Sequence, residues 1–163
     1  MKENKIQICY NTYQLDELPE VYQNLMSQSI AAHQDAYAPY SNFKVGAAIL
    51  LDDGTVFIGN NQENSAYPSG LCAERVALFA CAAQNPNKLI KSIAISAHSE
   101  KFDINTVLAP CGSCRQSMYE YESKQNRPIK VLLKGVDNEV IEFLSVADLL
   151  PLVFQCDALK NFR

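Results

Sequence analysis

The chain has 163 residues, of which 48% are hydrophobic, 20% charged and 9% aromatic, with a formal net charge of −4 and a pI near 5.2. That length suits one domain with a core large enough to need no disulfides, and six Gly and seven Pro without any low-complexity stretch exclude a disordered or fibrous chain. The 14 Lys and Arg are scattered rather than gathered into a basic stripe, which disfavours nucleic acid as the main partner.

No run approaches the ~18 apolar residues of a membrane span, so no membrane partner is expected. The first ten residues hold no apolar core of signal-peptide length. Six cysteines without an export signal fit a reducing compartment, where thiols serve as metal ligands or buried apolar groups more often than as disulfides. The expectation is a cytoplasmic protein with a single domain over 1–163, comprising a leader over 1–14 and a motif-bearing core over about 18–154.

In chain order, residues 15–37 predict a helix: Asp16 is a candidate N-cap, Pro19 suits a first turn, and Leu18, Val21, Tyr22, Leu25, Met26, Ser29 and Ile30 follow three-four spacing. Pro39 stops it. Residues 45–51 (VGAAILL) are apolar almost throughout, as in a strand covered on both faces and therefore central in its sheet. Asp52-Asp53-Gly54 is a turn signal, and 56–60 completes a hairpin. Residues 61–71 read as loop, with Pro68 and Gly70. Strong helix formers fill 73–83, with Val76, Phe79, Ala80 and Ala83 as the expected buried stripe. A strand over 93–97, a helix over 112–124 and strands over 129–133 and 140–144 follow. Ser145 to Asp148 resembles a capping box that opens a short last helix before Pro151. The succession strand, helix, strand implies a parallel pair with a crossover helix, whereas the last two strands are linked too closely for a crossover and must be antiparallel. The fold class expected is α/β: a three-layer α/β/α sandwich around a mixed sheet of five strands.

Three cysteines stand apart. Cys72, Cys111 and Cys114 each fall at the start of a predicted helix, where partial positive charge and free N–H groups favour the thiolate that binds metals. Soft sulfur ligands with two-residue spacing favour zinc. A bare Cys111-x-x-Cys114 fits a redox pair as readily as a metal site. Cys72-x-Glu74 adds a third ligand and an acid, and so points to an open zinc site that acidifies water beside a proton-moving carboxylate. Cys81 lies mid-helix, and Cys9 and Cys156 lie near the termini with no partner at ligand spacing, so none is a good fourth ligand.

The motifs then become specific. Cys72-Ala73-Glu74-Arg75 with Pro110-Cys111-Gly112-Ser113-Cys114-Arg115-Gln116 resembles the zinc signature of the cytidine deaminase superfamily. Pro39-Tyr40-Ser41-Asn42-Phe43 before Val45-Gly46-Ala47-Ala48, and Gly59-Asn60-Asn61-Gln62-Glu63-Asn64, resemble the entry to the first strand and the ribose-binding loop of its free-nucleoside members. The resemblance implies hydrolytic deamination of cytidine and 2′-deoxycytidine to uridine and 2′-deoxyuridine in pyrimidine salvage. It implies one Zn²⁺ per subunit on Cys72, Cys111 and Cys114, with Glu74 as the catalytic proton shuttle. Phe43 would stack on the pyrimidine, Asn61 and Glu63 would bind the ribose 3′-hydroxyl, and the Ala73 backbone N–H would bind the base carbonyl. Phe154 matches an aromatic that reaches a neighbouring subunit's site, and three-cysteine members are usually homotetramers. Three thiolates leave the zinc site about one negative charge, which helix dipoles and Arg75 or Arg115, donating to sulfur, would offset.

An editing-type deaminase would want a basic surface, and a deaminase of a modified aminopyrimidine nucleoside such as blasticidin S shares the metal signature. Asn61-x-Glu63 favours ordinary nucleosides. His33 and His98 are expected to be ordinary surface or loop residues, Asp52 and Asp53 a turn, and Tyr119 to Glu122 a partly solvated helix end. The segment 99–108 is longer than the family usually has there and is a candidate for the site mouth.

Overall fold

A computed structural model describes residues 1–155; Cys156 lies outside them. The elements are β1 (Asn11–Gln14), α1 (Glu20–Gln34), β2 (Phe43–Leu51), β3 (Val56–Asn60), α2 (Ala73–Gln84), β4 (Ile90–Ser99), α3 (Gly112–Gln125), β5 (Lys130–Lys134) and β6 (Glu139–Phe143), with short 3₁₀ turns between several of them. They form one mixed sheet in the order β1-β6-β5-β4-β2-β3. The β4–β5 pair is parallel and β5–β6 antiparallel, as the link lengths require.

The sheet has six strands, not five. The sixth is β1, drawn from the leader, which pairs antiparallel with β6 from Asn11↔Glu142 to Gln14↔Glu139. Its four residues, Asn-Thr-Tyr-Gln, are too short and too polar to show strand periodicity. Side-chain bonds add to the pairing: Asn11 Nδ2 donates to Glu142 Oε2 at 3.0 Å, and the buried Glu142 carboxylate pairs with Lys130, whose ammonium lies 4.5 Å from the centre of the Tyr22 ring.

The first helix is shorter than 15–37. Leu18 precedes Pro19, whose ring disfavours α geometry at the preceding residue, and Leu18 is accordingly extended (φ −71°, ψ 151°). Residues Leu15–Glu17 close a separate 3₁₀ turn, and the helix opens at Glu20 with Pro19 in the capping position.

Strand β2 alternates between two cores. Ala47, Ile49 and Leu51 face α2 and α3, packing with Ala77, Leu78 and Met118; Ala48 and Leu50 face α1, packing with Leu25 and Met26. This two-sided burial is why 45–51 lacks the period of two: α1 covers one face, and α2 and α3 cover the other. Two glycines set the layer spacing. A Cβ on Gly46 would lie 2.0 Å from the Ser29 carbonyl oxygen, and one on Gly59 would lie 2.5 Å from the Ala77 nitrogen. Helices α1 and α2 therefore touch the sheet backbone directly, one on each face.

The buried face of α2 is Ala73, Glu74, Ala77, Leu78 and Cys81, whereas Phe79 is 42% exposed. Apolar residues lie on both sides of this helix, so either stripe satisfies a 3.6-residue period; Gly59 admits only the small Ala77 side, and that contact chooses the face.

Glu122 also departs from its expected place. It is buried at the end of α3, where Oε2 accepts the Ile129 and Val146 N–H groups at 2.7 and 2.8 Å and Oε1 accepts the Ser145 hydroxyl and the Ala147 N–H at 2.7 and 3.2 Å. The last short helix, Val146–Leu149, is thus capped by Ser145 and by a carboxylate from another element. Glu122→Gln keeps the volume but turns an NH₂ group toward two donors. We expect it to lower unfolding stability by about 2–3 kcal/mol, measured as a reduced urea midpoint with unchanged slope; an unaltered midpoint would remove this role.

Candidate active site and metal centre

Strand β2 begins at one edge of the sheet, where α2 and α3 also begin. Cys72 is the N-cap of α2 and Cys111 the N-cap of α3, both with extended backbone (ψ 152° and 164°), and Cys114 lies one turn into α3. Their carbonyls open the two helices, with Val76 N–H on Cys72 O at 3.1 Å and Arg115 N–H on Cys111 O at 2.9 Å. The helices converge because both rest on the same face of the sheet.

The three sulfurs lie within 4.8 Å of one another, with Cys72 Sγ and Cys111 Sγ 4.0 Å apart. Three thiolates around a tetrahedral zinc, at Zn–S of about 2.3 Å, would be separated by about 3.8 Å. The cluster fits zinc with only small adjustment. The Cys114 thiol hydrogen-bonds to Cys72 and, with Arg75 and Cys111, holds Cys72 down at about 5 against the opposing effect of burial. The same shared proton pushes Cys114 up, and burial adds to this. The group gives up its first proton readily and retains another, which a divalent cation would displace.

Arg75 and Arg115 do different things. The Arg75 guanidinium reaches Cys72 Sγ at 4.0 Å, while its buried Nε has no hydrogen-bond partner among the described residues. Arg115 turns away from the sulfurs. Its Nε donates to Pro110 O at 2.7 Å and Nη1 to Leu149 O at 2.8 Å, so it locks the approach to α3 rather than touching the metal site.

Glu74 is only 5% exposed and lines a cavity of about 500 Å³ together with Cys72, Cys111, Phe43 and Asn61. Burial pushes its carboxyl above the usual range, outweighing the hydrogen bond from its own backbone N–H. A buried carboxyl whose charged form is disfavoured, beside a metal centre, is suited to taking and returning a proton. Ala73, wholly buried, opens α2, and its N–H belongs to the first-turn donors left outside the helical ladder.

Phe43 begins β2 directly after Asn42, whose positive φ of 56° makes the corner. Asn61 holds that strand end: Oδ1 accepts the Val45 N–H at 2.7 Å and Nδ2 donates to Phe43 O at 2.9 Å. The amide still has a second N–H for a ligand. Glu63 sits in an adjoining groove lined also by Tyr40, Ser41, Asn61 and Cys72. Its carboxylate accepts the Tyr40 and Ser41 N–H groups at 2.8 and 3.3 Å and the Ser41 hydroxyl. Slight burial works against ionisation there, but these three donors outweigh it and hold Glu63 below the ordinary carboxylate range. The cavity and the groove share Asn61 and Cys72. Phe154 is 70% exposed, its backbone clasped to α3 by Gln116 at 2.9 and 3.2 Å.

The structure adds residues not expected at the site. Phe102 of the segment after β4 and the corner Lys134–Asp137 line the main cavity. So does His98, stacked on the half-buried His33 with ring centres 5.6 Å apart. Burial, then the nearby His98, Lys44 and Lys134, hold His33 below the usual imidazole range. Only the unusual length of 99–108 pointed toward any of these.

Residues 19–126 match the family described as cytidine and deoxycytidylate deaminase zinc-binding region. A cytidine deaminase of Sporosarcina psychrophila is 39% identical over 138 residues, covering 85% of this chain and 94% of that protein. One from Halalkalibacterium halodurans is 37% identical over 139 residues, covering 85% and 98%. The crystal structure of cytidine deaminase from Burkholderia pseudomallei superposes with a TM-score of 0.70 at 39% identity, covering 82% of this chain and 98% of that one. No helix among the described residues is long and apolar enough to cross a membrane.

Proposed function

The chain belongs to the cytidine deaminase family, a family of hydrolases with a zinc-binding region, and we propose on that premise that it converts cytidine and 2′-deoxycytidine to the corresponding uridines and ammonia in pyrimidine salvage. The observation that carries this reading is the buried Glu74 beside a three-cysteine cluster, at the floor of a cavity that opens into the Asn61–Glu63 groove. The relatives' names do not favour a blasticidin S deaminase.

Cys72, Cys111 and Cys114 would hold the zinc. When bound, zinc lowers the pKa of water and so supplies a nucleophile at neutral pH. Phe43 takes one face of the pyrimidine, and the Ala73 N–H receives the base carbonyl oxygen. In the groove, Glu63 and the second N–H of Asn61 take the ribose 3′-hydroxyl. Glu63 arrives there already ionised and oriented by Tyr40 and Ser41, which suits it to accept from a hydroxyl. Glu74 takes a proton from the attacking water and delivers protons to ring N3 and to the departing 4-amino group, which leaves as ammonia as the C4 oxygen becomes a carbonyl. Burial of Glu74 excludes bulk water from competing for that proton. Arg75 opposes the negative charge of the thiolates at Cys72, and Arg115 positions α3 through Pro110 and Leu149.

The same reading has the chain work as one domain over 1–163, in the cytoplasm, as a homotetramer. The exposed Phe154, fixed to α3 and free to project, supports a contribution to a neighbouring subunit's site. Purified protein assayed for zinc should convert cytidine to uridine, followed by chromatography; no conversion by a fully zinc-loaded sample would overturn the substrate.

A further inference from the structure

Between the end of β4 at Ser99 and the start of α3 at Gly112, the chain crosses the mouth of the cavity, and Phe102, Asp103, Ile104 and Leu108 line it. Phe102 belongs to neither apolar core and is 52% exposed. Its ring nevertheless lies nearly parallel to that of Phe43, at 10° with centres 6.0 Å apart. A half-exposed aromatic on a loop gains little stability from such a placement, so folding alone does not account for it.

The two rings are mounted differently. Phe43 starts a strand hydrogen-bonded along its length to β4, and Asn61 grips the backbone on either side of Lys44. Phe102 sits on chain without regular secondary structure, three residues beyond the last strand residue of β4. One wall is fixed and the other can move. Carbon atoms in contact lie about 3.5–4 Å apart, so a planar heterocycle held between two rings needs about 7 Å. The ring centres are now 6.0 Å apart, closer than that opening, so the slot must widen to admit a base.

We propose that Phe102 is a specificity-determining residue of the base site: with Phe43 it forms an aromatic clamp whose movable wall withdraws, admits the pyrimidine and closes on its outer face. This rests on the pyrimidine lying against Phe43, as in the proposed function. The clamp rewards a planar π-face on both sides of the base. Binding energy from the second stack acts on ground state and transition state alike, so it lowers KM without changing kcat.

The test compares Phe102→Ala, Phe102→Leu and Phe102→Tyr with the unaltered protein, using cytidine turnover and calorimetric binding of uridine. A base–aromatic stack corresponds to about 5–150-fold in affinity. Phe102→Ala and Phe102→Leu should both raise KM for cytidine and Kd for uridine about 10-fold, with kcat within twofold; Phe102→Tyr should restore both. Unchanged or lowered KM in Phe102→Ala, or full retention by Phe102→Leu, would overturn the clamp. Unaltered protein that binds uridine but does not deaminate cytidine would overturn the proposed reaction, while the uridine affinities of the variants would still decide the clamp. Protein that binds no pyrimidine nucleoside would overturn both.

Discussion

Glu74→Gln should remain folded and zinc-loaded yet lose about 10²–10⁴-fold in kcat, the range that a positioned proton shuttle contributes. The side chain is 5% exposed and burial already disfavours its charge, so an amide of the same shape meets no new desolvation cost. Thermal stability should therefore be equal to or slightly above that of the unaltered protein. The amide can donate and accept hydrogen bonds but cannot take up and release a proton at neutral pH. Steady-state kinetics together with metal analysis and a thermal melt separate these effects. Retained turnover would remove Glu74 from the mechanism, and loss of zinc would show instead that the carboxyl holds the metal site together.

The second large effect concerns the cluster. Cys114 is fully buried, and its sulfur lies within 4.8 Å of those of Cys72 and Cys111. Cys114→Ser replaces a soft ligand with a hydroxyl that does not ionise near neutrality, and zinc content should fall far below one per chain with turnover abolished. A ligand bound only by the folded state stabilises it by about 4 kcal/mol when present at a thousand times its Kd. Chelation should accordingly lower the Tm of the unaltered protein and leave the melt of Cys114→Ser unmoved. Cys9→Ser is the control, because Cys9 is exposed and stands outside the cluster. Equal chelator sensitivity in Cys114→Ser and the unaltered protein would show that the metal is held elsewhere.

Much of the site was legible along the chain because its parts are short and local. Cys72 with Glu74, and Cys111 with Cys114, each lie within a single turn at a helix start, and Asn61 with Glu63 lies on one loop. Spacing and helix-terminus electrostatics are properties of neighbouring residues, so they survive without knowledge of the fold. Arg115 shows where such reasoning stops. It follows Cys114 directly, yet the carbonyls of Pro110 and Leu149 claim its nitrogens, and the second belongs to a turn far along the chain.

The apolar run 45–51, the alternation of helices with strands and the link lengths were enough to dictate a layered α/β sheet with a parallel β4–β5 pair, because burial and chain reach leave few other arrangements. Other features exist only once residues distant in the chain have met. Among them are the docking of Asn11–Gln14 on β6, the choice of the Ala77 face by Gly59, the four hydrogen bonds that bury Glu122 and the stacking of Phe102 on Phe43. Each lacks a local signature because its favourable free energy comes from a partner that the sheet register supplies. A polar tetrapeptide, a solvated-looking glutamate and a loop phenylalanine acquire their roles from that register, not from their neighbours in sequence.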